Sequence, residues 1–255
     1  MVYFVGAGSG ASDLITVRGQ MLLKKADIII YAGSLVNPEL LEVKKMDCKV
    51  YNSAVMTLEE VIEIMIQGES EGKLIVRLHT GDPCLYGAIR EQMDLLDEKN
   101  IDYEVCPGVS SFCGAASALN LEYTLPDVSQ SVIITRMEGR TAVPDKERIA
   151  SFAAHNATMV IFLSAGMLKQ LSEQLIIGGY DKNTPAAIVY KATWKDEKKF
   201  ICTVDTIAQT AEKNNITKTA LIIVGDVISH NNYRRSDLYN PSFATEYRPA
   251  EHDDK

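Results

Sequence analysis

Strand-like and helix-like stretches alternate along this chain from its first residues, and that alternation restricts the fold more than any other feature. Residues 2–5, 26–31, 49–51, 73–78 and 102–106 are short runs rich in β-branched or aromatic side chains, the pattern of buried strands. Helical patterns lie between them. "TLEEVIEIMIQGE" opens with Thr57 and Glu60 in capping-box spacing, and Leu58, Val61, Ile62 and Met65 form one apolar stripe, read as core. After the polar, proline-bearing "LEYTLPDVSQ" a second series begins, with strands expected at 131–136, 158–164, 186–191, 199–204 and 219–225. Helices are expected at about 145–153, 166–177 and 205–213. The expected architecture is α/β: a domain at 1–122 and another at 128–232, each with a five-stranded sheet, a ligand site in the cleft between them, and a polar tail at 233–255.

A chain of 255 residues with 46% hydrophobic side chains can bury full cores. The net charge of −8 argues against a nucleic-acid partner, whose phosphates require a basic face, but leaves room for a small anionic ligand in a locally positive site. The five cysteines form no C-x-x-C pair and the four histidines show no ligand spacing, so neither a disulfide framework nor a metal site is expected. "MVYFVGAGSG" lacks the basic start of a leader, and no apolar run approaches the roughly 20 residues of a membrane span. A soluble cytoplasmic protein without membrane contact is expected.

"VGAGSGASD" follows the first strand, and Gly6 to Ala11 can be read as G-x-G-x-x-A, a weak form of the dinucleotide fingerprint. That fingerprint needs an acid ending the second strand, whereas "ADIIIYAG" carries Asp27 at its beginning. Helix caps at Ser12, Asp13 and Thr16 also come late. The loop reads as a wide glycine shelf rather than a pyrophosphate cradle. A second shaped corner, "LHTGDPCLYG", follows the fourth strand, with Asp82 fixed between a glycine and a proline.

Six segments in order resemble the tetrapyrrole methylase family: "VGAGSGASDLITVRG", "LHTGDPCLYG", "PGVSSFCGAASAL", "TMVIFLSAG", "PAAIVYKATWKDE" and "TALIIVG". The resemblance covers nearly the whole chain. "VYKATWKDE", "TRMEGRT" and "TMVIFLS" are most similar to the branch that methylates C11 of precorrin-4 or its cobalt form in cobalamin biosynthesis. The family's first loop often reads G-x-G-P-G-D; here Ser9 stands for the proline and Ala11 for the aspartate, so position 11 has no acid to offer.

The resemblance implies the class III methyltransferase fold, S-adenosylmethionine as methyl donor, S-adenosylhomocysteine as product, and a homodimer. It places Ser9, Thr80, Gly81, Asp82, Leu85, Ser110 and Ser111 against the donor, and Leu163, Ala192 and Ala220 around its adenine from the second domain. Asp82 would add acceptance and favourable charge near the donor's cationic groups, or simply cap its own turn.

Methyl transfer from an activated donor needs alignment and exclusion of water rather than a protein nucleophile. The absence of a Ser/His/Asp or Cys/His arrangement agrees with that, and no catalytic residue is assigned. An anionic tetrapyrrole carries many carboxylates, which call for arginines and lysines. Arg18, Arg77, Arg136, Arg140, Lys191 and Lys195 lie in or beside the matched segments; Arg18, Arg136 and Lys191 are the chosen substrate-binding candidates. Trp194 either covers a ring face or packs at a domain edge. The competing expectations are methylation of another corrin-ring carbon or of uroporphyrinogen, and, in a different class, a nicotinamide-binding or non-catalytic α/β protein.

Overall fold

The computed structural model describes residues 1–231 and 233–250; position 232 and positions 251–255, which the expected second domain and tail include, lie outside the described residues. In the first half β1 (Val2–Gly6), β2 (Ile28–Tyr31), β3 (Lys49–Asn52), β4 (Ile75–His79) and β5 (Tyr103–Cys106) form one sheet in the order β3-β2-β4-β1-β5. All its pairings are parallel. Parallel strands need crossovers that cover both faces, which is why β2 is an apolar run and β4 is buried along its whole length, Arg77 and His79 included.

The two faces bury separate sets of side chains. Val5, Ile29, Val76 and Leu78 pack with Leu23 of α1 (Val17–Lys25). Val2, Phe4, Ile30 and Ile75 pack with Val61, Ile62 and Met65 of α2 (Leu58–Ser70) and Leu96 of α3 (Arg90–Glu98). The α2 capping box forms as its spacing implies: the Glu60 amide donates to Thr57 Oγ1 at 3.3 Å, and the Thr57 amide to Glu60 Oε2 at 2.7 Å. Gly68 lets α2 lie close on the sheet, since a Cβ there would come within 2.8 Å of Ile28 Cδ1.

In the second half β6 (Val132–Arg136), β7 (Thr158–Phe162), β8 (Pro185–Tyr190), β9 (Lys198–Thr203) and β10 (Ala220–Val224) form a sheet ordered β6-β7-β10-β8-β9. It is mixed: β7 runs parallel to β6 and antiparallel to β10. Residues 159–161, 186–189 and 221–224 are buried in it. α5 (Ile149–Ala153) and α6 (Leu168–Gly178) meet at Gly178, where a Cβ would stand 2.4 Å from the Ala150 carbonyl oxygen. The expected helix at 145–153 is interrupted, because Arg148 is extended (ψ 150°) and pairs with Asp145 at 2.8 Å. β7 and β8 stop short of their expected ends because Leu163 and Lys191 turn left-handed, at φ +52° and +47°.

The chain divides into two compact units. The first is Met1–Ala118 together with Tyr190–Lys198, and the second holds the rest. The tail is folded over its described part: Arg248 Nη2 donates to the carbonyls of Leu238, Asn240 and Phe243, and Arg234 pairs with Asp127 at 3.2 Å.

Candidate active site

Three loops leave the same edge of the first sheet side by side, because β1 lies between β4 and β5 with Gly6 opposite His79 and Val5 opposite Cys106. The chain leaves β1 toward β2 and leaves β4 toward β5, in opposite directions across the sheet, the topology that opens ligand sites at the carboxyl ends of parallel strands. The loops are fastened by backbone. The Ala7 amide donates to the His79 carbonyl at 2.7 Å, and Gly8 and Gly81 exchange two bonds of 3.2 and 3.0 Å. No side chain fits at the crossing: a Cβ on Gly6 would lie 2.6 Å from the Gly81 oxygen, and one on Gly108 2.2 Å from it.

Asp82 ties the corner. Its Oδ1 accepts from the Cys84 amide and its Oδ2 from the Gly108 amide, both at 2.8 Å. Burial pushes its pKa up, but these hydrogen bonds outweigh burial and hold the carboxyl below its usual range. Of the two roles expected for this acid, the capping one is built into the loops, and it reaches across to a third loop as well. Leu85, half-buried, follows in the same turn, its amide donating to the Asp82 carbonyl at 3.3 Å.

Gly81 faces the start of α4 (Ser111–Leu119): a Cβ on it would be 3.4 Å from the Ser111 nitrogen and 3.5 Å from Ser110 Cα. Ser9 is 5% exposed and packs on Gly114 of that helix. Ala192, read with the second half of the sequence, belongs to the first unit, its carbonyl oxygen 2.7 Å from where a Gly10 Cβ would stand. Ser9, Thr80, Gly81, Asp82, Leu85, Ser110, Ser111 and Ala192 therefore all lie in that unit.

Leu163 and Ala220 belong to the second unit. The pairing of Ile222 with Ile161, continued along both strands, sets Ala220 opposite Leu163. Leu163 is exposed and Ala220 buried. Leu163 also borders a cavity of about 500 Å³ with Met137, Met167, Arg136 and Arg140.

The three substrate candidates differ in what their charges do. Arg136 donates to the carbonyls of Met137 (3.1 Å), Thr141 (3.2 Å) and Ala142 (2.8 Å), so its guanidinium shapes its own loop. Lys191 pairs with Asp196 at 2.6 Å and lies over the rings of Tyr190 and Trp194. Arg18 is exposed and makes no ion pair among the described residues. Of the other cations considered, Lys195 pairs with Glu39 and Arg140 stands exposed at the cavity. Arg77 is buried, donating to Gln92 (3.1 Å) and the Ile30 carbonyl (3.2 Å), and burial brings its pKa down to about 10. Trp194 lies on Gly10, where a Cβ would be 2.2 Å from its Cδ1.

Several contacts that hold the glycine shelf were not foreseen from the sequence. Asn37 Nδ2 donates to the Gly10 carbonyl at 2.9 Å, Ser12 donates to Glu39 at 2.9 Å, and Thr193 Oγ1 accepts from the Ala11 amide at 3.0 Å. Asn37 had one legible signal, an Asn-Pro step that begins a capped turn. The others are long-range contacts that no local pattern announces.

Two polar atoms at the end of β4 are buried without a partner, His79 Nε2 and Thr80 Oγ1. An unpaired buried hydroxyl is costly, so Thr80 suits a polar ligand that completes it. Glycine backbone at 81, two serines opening α4 and a helix N-terminus favourable to a carboxylate match the amino-acid end of a methyl donor such as S-adenosylmethionine. The thiols beside the site are not activated: the Asp82 hydrogen bond pushes Cys84 up, and burial pushes Cys113 up. His79 is pushed down to about 3, by burial first and by Arg77 second.

Comparison with known proteins gives a consistent result. The model of the family described as Tetrapyrrole (Corrin/Porphyrin) Methylases matches residues 1–208. A Methanocaldococcus jannaschii protein named cobalt-precorrin-4 C(11)-methyltransferase is 51% identical over 98% of this chain and 96% of its own length. The solved structure of a cobalamin biosynthetic enzyme, cobalt precorrin-4 methyltransferase, superimposes with a TM-score of 0.87 at 44% identity, covering 89% of this chain and 95% of that one. The uroporphyrin-III C-methyl transferase of Thermus thermophilus, solved in complex with S-adenyl homocysteine, gives a TM-score of 0.75 at 25% identity over 92% of this chain and 96% of its own.

Proposed function

The chain belongs to the tetrapyrrole (corrin/porphyrin) methylase family, and from that premise we propose that it methylates C11 of precorrin-4, or of its cobalt form, with S-adenosylmethionine as donor. The product is the corresponding precorrin-5, a step of cobalamin biosynthesis. The observation that carries the reading is the 51% identity to the M. jannaschii methyltransferase across 98% of the chain.

When bound, S-adenosylmethionine supplies a methyl group already activated on a sulfonium. The work left to the chain is to bind, align and exclude water. Thr80 offers its unpaired hydroxyl to the donor's polar end, with Ser9, Ser110 and Ser111 beside it. Gly81 lets the backbone come close, and Leu85 packs alongside. Asp82 keeps that loop in place and adds negative charge near the donor's cationic groups. Of the residues assigned to the donor's adenine by family likeness, Ala192 lies in the first unit and Leu163 and Ala220 in the second, and each is apolar, as a flat base requires. His79, with its pKa near 3, stays neutral at physiological pH and is too weak a base to take the ring proton. Of the cations considered, Arg140 and Arg18 are engaged by no acid among the described residues, which leaves their charge available to carboxylates of the tetrapyrrole.

The test is direct. The purified protein is incubated with S-adenosylmethionine and either precorrin-4 or cobalt-precorrin-4, and the product is weighed by mass spectrometry. A gain of one methyl on either ring supports the assignment and tells which form is used. No gain on either, with methylation of uroporphyrinogen or another corrin intermediate, moves the activity elsewhere in the family. Calorimetric binding of NAD in preference to S-adenosylhomocysteine would overturn the donor assignment.

A further inference from the structure

Thr193 sits at φ +68°, a left-handed conformation that is a genuine outlier for a β-branched residue. Its surroundings over-determine it. The Thr193 amide donates to Glu197 Oε2 at 2.6 Å, while its Oγ1 accepts from the Ala11 amide at 3.0 Å and lies 3.1 Å from Ser9 Oγ. Its methyl closes against Gly114, where an added Cβ would stand 3.1 Å from Thr193 Cγ2 and 2.7 Å from Ser9 Cβ. Lys191, two residues earlier, is also left-handed (φ +47°) and is held by Asp196 at 2.6 Å. The connection between β8 and β9 thus bends twice through an unfavourable region in order to reach the glycine shelf. Strain that persists because neighbours impose it clusters where a chain must place one group accurately.

The hydroxyl chemistry says which group. A threonine oxygen has one proton to give and two lone pairs. The Ala11 amide occupies one lone pair, which polarises the Thr193 O–H and favours its donation onward to Ser9 Oγ. Ser9 then has its own proton left to donate. A serine whose oxygen already accepts a bond presents a donor, and a donor selects an anionic oxygen.

We infer that Thr193 is a positioning residue for the methyl donor: it fixes the glycine shelf and orients the Ser9 hydroxyl so that Ser9 donates to the carboxylate of the donor's amino-acid end. This rests on the reading of Ser9 as a donor-binding residue. Glu197 serves the same arrangement by holding the Thr193 backbone.

The experiment is calorimetric titration of S-adenosylhomocysteine into the wild-type protein, Thr193→Val and Thr193→Ser, with KM for both substrates and kcat measured on each. Valine keeps the shape and removes the hydroxyl; serine keeps the hydroxyl. Thr193→Val should weaken S-adenosylhomocysteine about tenfold and raise KM for S-adenosylmethionine by a similar factor. The KM for the tetrapyrrole should stay within about twofold, and Thr193→Ser should restore donor affinity to within about twofold of wild type. Wild-type affinity in Thr193→Val overturns the inference, and so does a parallel rise in both KM values, which marks a merely structural role. Should Thr193→Val not fold, Glu197→Ala, which removes the acceptor of the Thr193 amide, carries the test: a loss of about threefold or more supports the inference, and a smaller change overturns it. A wild-type protein that does not bind S-adenosylhomocysteine at all removes the donor reading itself, a result visible before any variant is compared.

Discussion

The Gly108 amide donates to Asp82 Oδ2 at 2.8 Å, and through that bond the loop after β4 holds the loop after β5. The other carboxylate oxygen is occupied at the same distance by the Cys84 amide. Asparagine has one acceptor oxygen where aspartate has two, so Asp82→Asn leaves one of these amides facing an NH₂ group. An unsatisfied, partly buried amide costs about 1–3 kcal/mol. Asp82→Asn should lower the urea midpoint correspondingly and weaken S-adenosylhomocysteine by about tenfold or more in calorimetry. Wild-type values for both would mean the bond organises nothing.

The same carboxyl gives a pH signature with a definite sign. Its folded pKa lies below the unfolded value of about 3.9. Its stabilisation is therefore complete above that unfolded value and is lost as pH falls through the folded one. Urea unfolding of wild type and Asp82→Asn should show their stability difference shrinking below about pH 4. A difference that stays constant through this range contradicts the assignment.

Gly108 allows a sharper contrast. A Cβ there would stand 2.2 Å from the Gly81 carbonyl oxygen, which is backbone and cannot swing aside. Gly72 is also a non-helical glycine, at φ +67°, but nothing lies within 4 Å of a Cβ placed on it. Gly108→Ala must separate two of the three loops and should cost more than about 3 kcal/mol or prevent folding. Gly72→Ala should cost only the left-handed strain, about 1 kcal/mol. Thermal melts of the two variants make the comparison, and equal losses would show that the loop crossing is not tight.

The ten strands among the described residues were legible because each is a short run rich in β-branched or aromatic residues, and the apolar runs of central strands such as β1 and β2 are made conspicuous by the parallel sheet's double burial. The α2 capping box was legible for the same reason: it is local chemistry. What the sequence hid was carried by conformations at single residues. Leu163, Lys191 and Thr193 turn left-handed where no glycine marks the position, so the strand ends shifted and the return of 190–198 to the first unit went unseen. The surroundings of the charges were not legible either. Arg136 and Lys191 sit in the expected segments, yet one is spent on carbonyls of its own loop and the other on Asp196. A sequence shows which residues carry charge, and the bends of the loops that hold them decide what each charge touches.

His79 supplies a second pH dependence. Burial and Arg77 bring its pKa from 6.5 to about 3. Between these values the unfolded chain binds a proton that the folded chain refuses, so folding stability falls as pH drops through this window. The slope approaches about 1.4 kcal/mol per pH unit below the unfolded pKa. His79→Gln removes the titrating group, and its stability should exceed wild type's increasingly from pH 6 down to pH 4 relative to their difference at pH 7.5. Parallel curves would show that His79 is protonated in the folded protein as readily as in the unfolded one.

Arg136 and Arg140 flank one cavity, and they differ in hydrogen bonding: Arg136 is held by carbonyls of its own loop, and Arg140, which we propose meets the ligand, pairs with no acid among the described residues. Arg136 reaches three carbonyls with a planar fork, a geometry that a lysine ammonium cannot reproduce. Arg136→Lys should therefore loosen the 137–142 loop and cost about 1–2 kcal/mol of stability. Arg140 is exposed and pairs with no acid among the described residues, so nothing in the fold depends on its charge. Arg140→Ala should leave the melting temperature within about 1 °C while raising KM for the tetrapyrrole roughly fivefold to twentyfold, the loss of one charge-assisted contact. The KM for S-adenosylmethionine should not move, because the lost contact is to the ring's carboxylates. If Arg140→Ala instead raises the donor's KM alone, the cavity serves the donor and the tetrapyrrole must be met by other cations, with Arg18 the first to test.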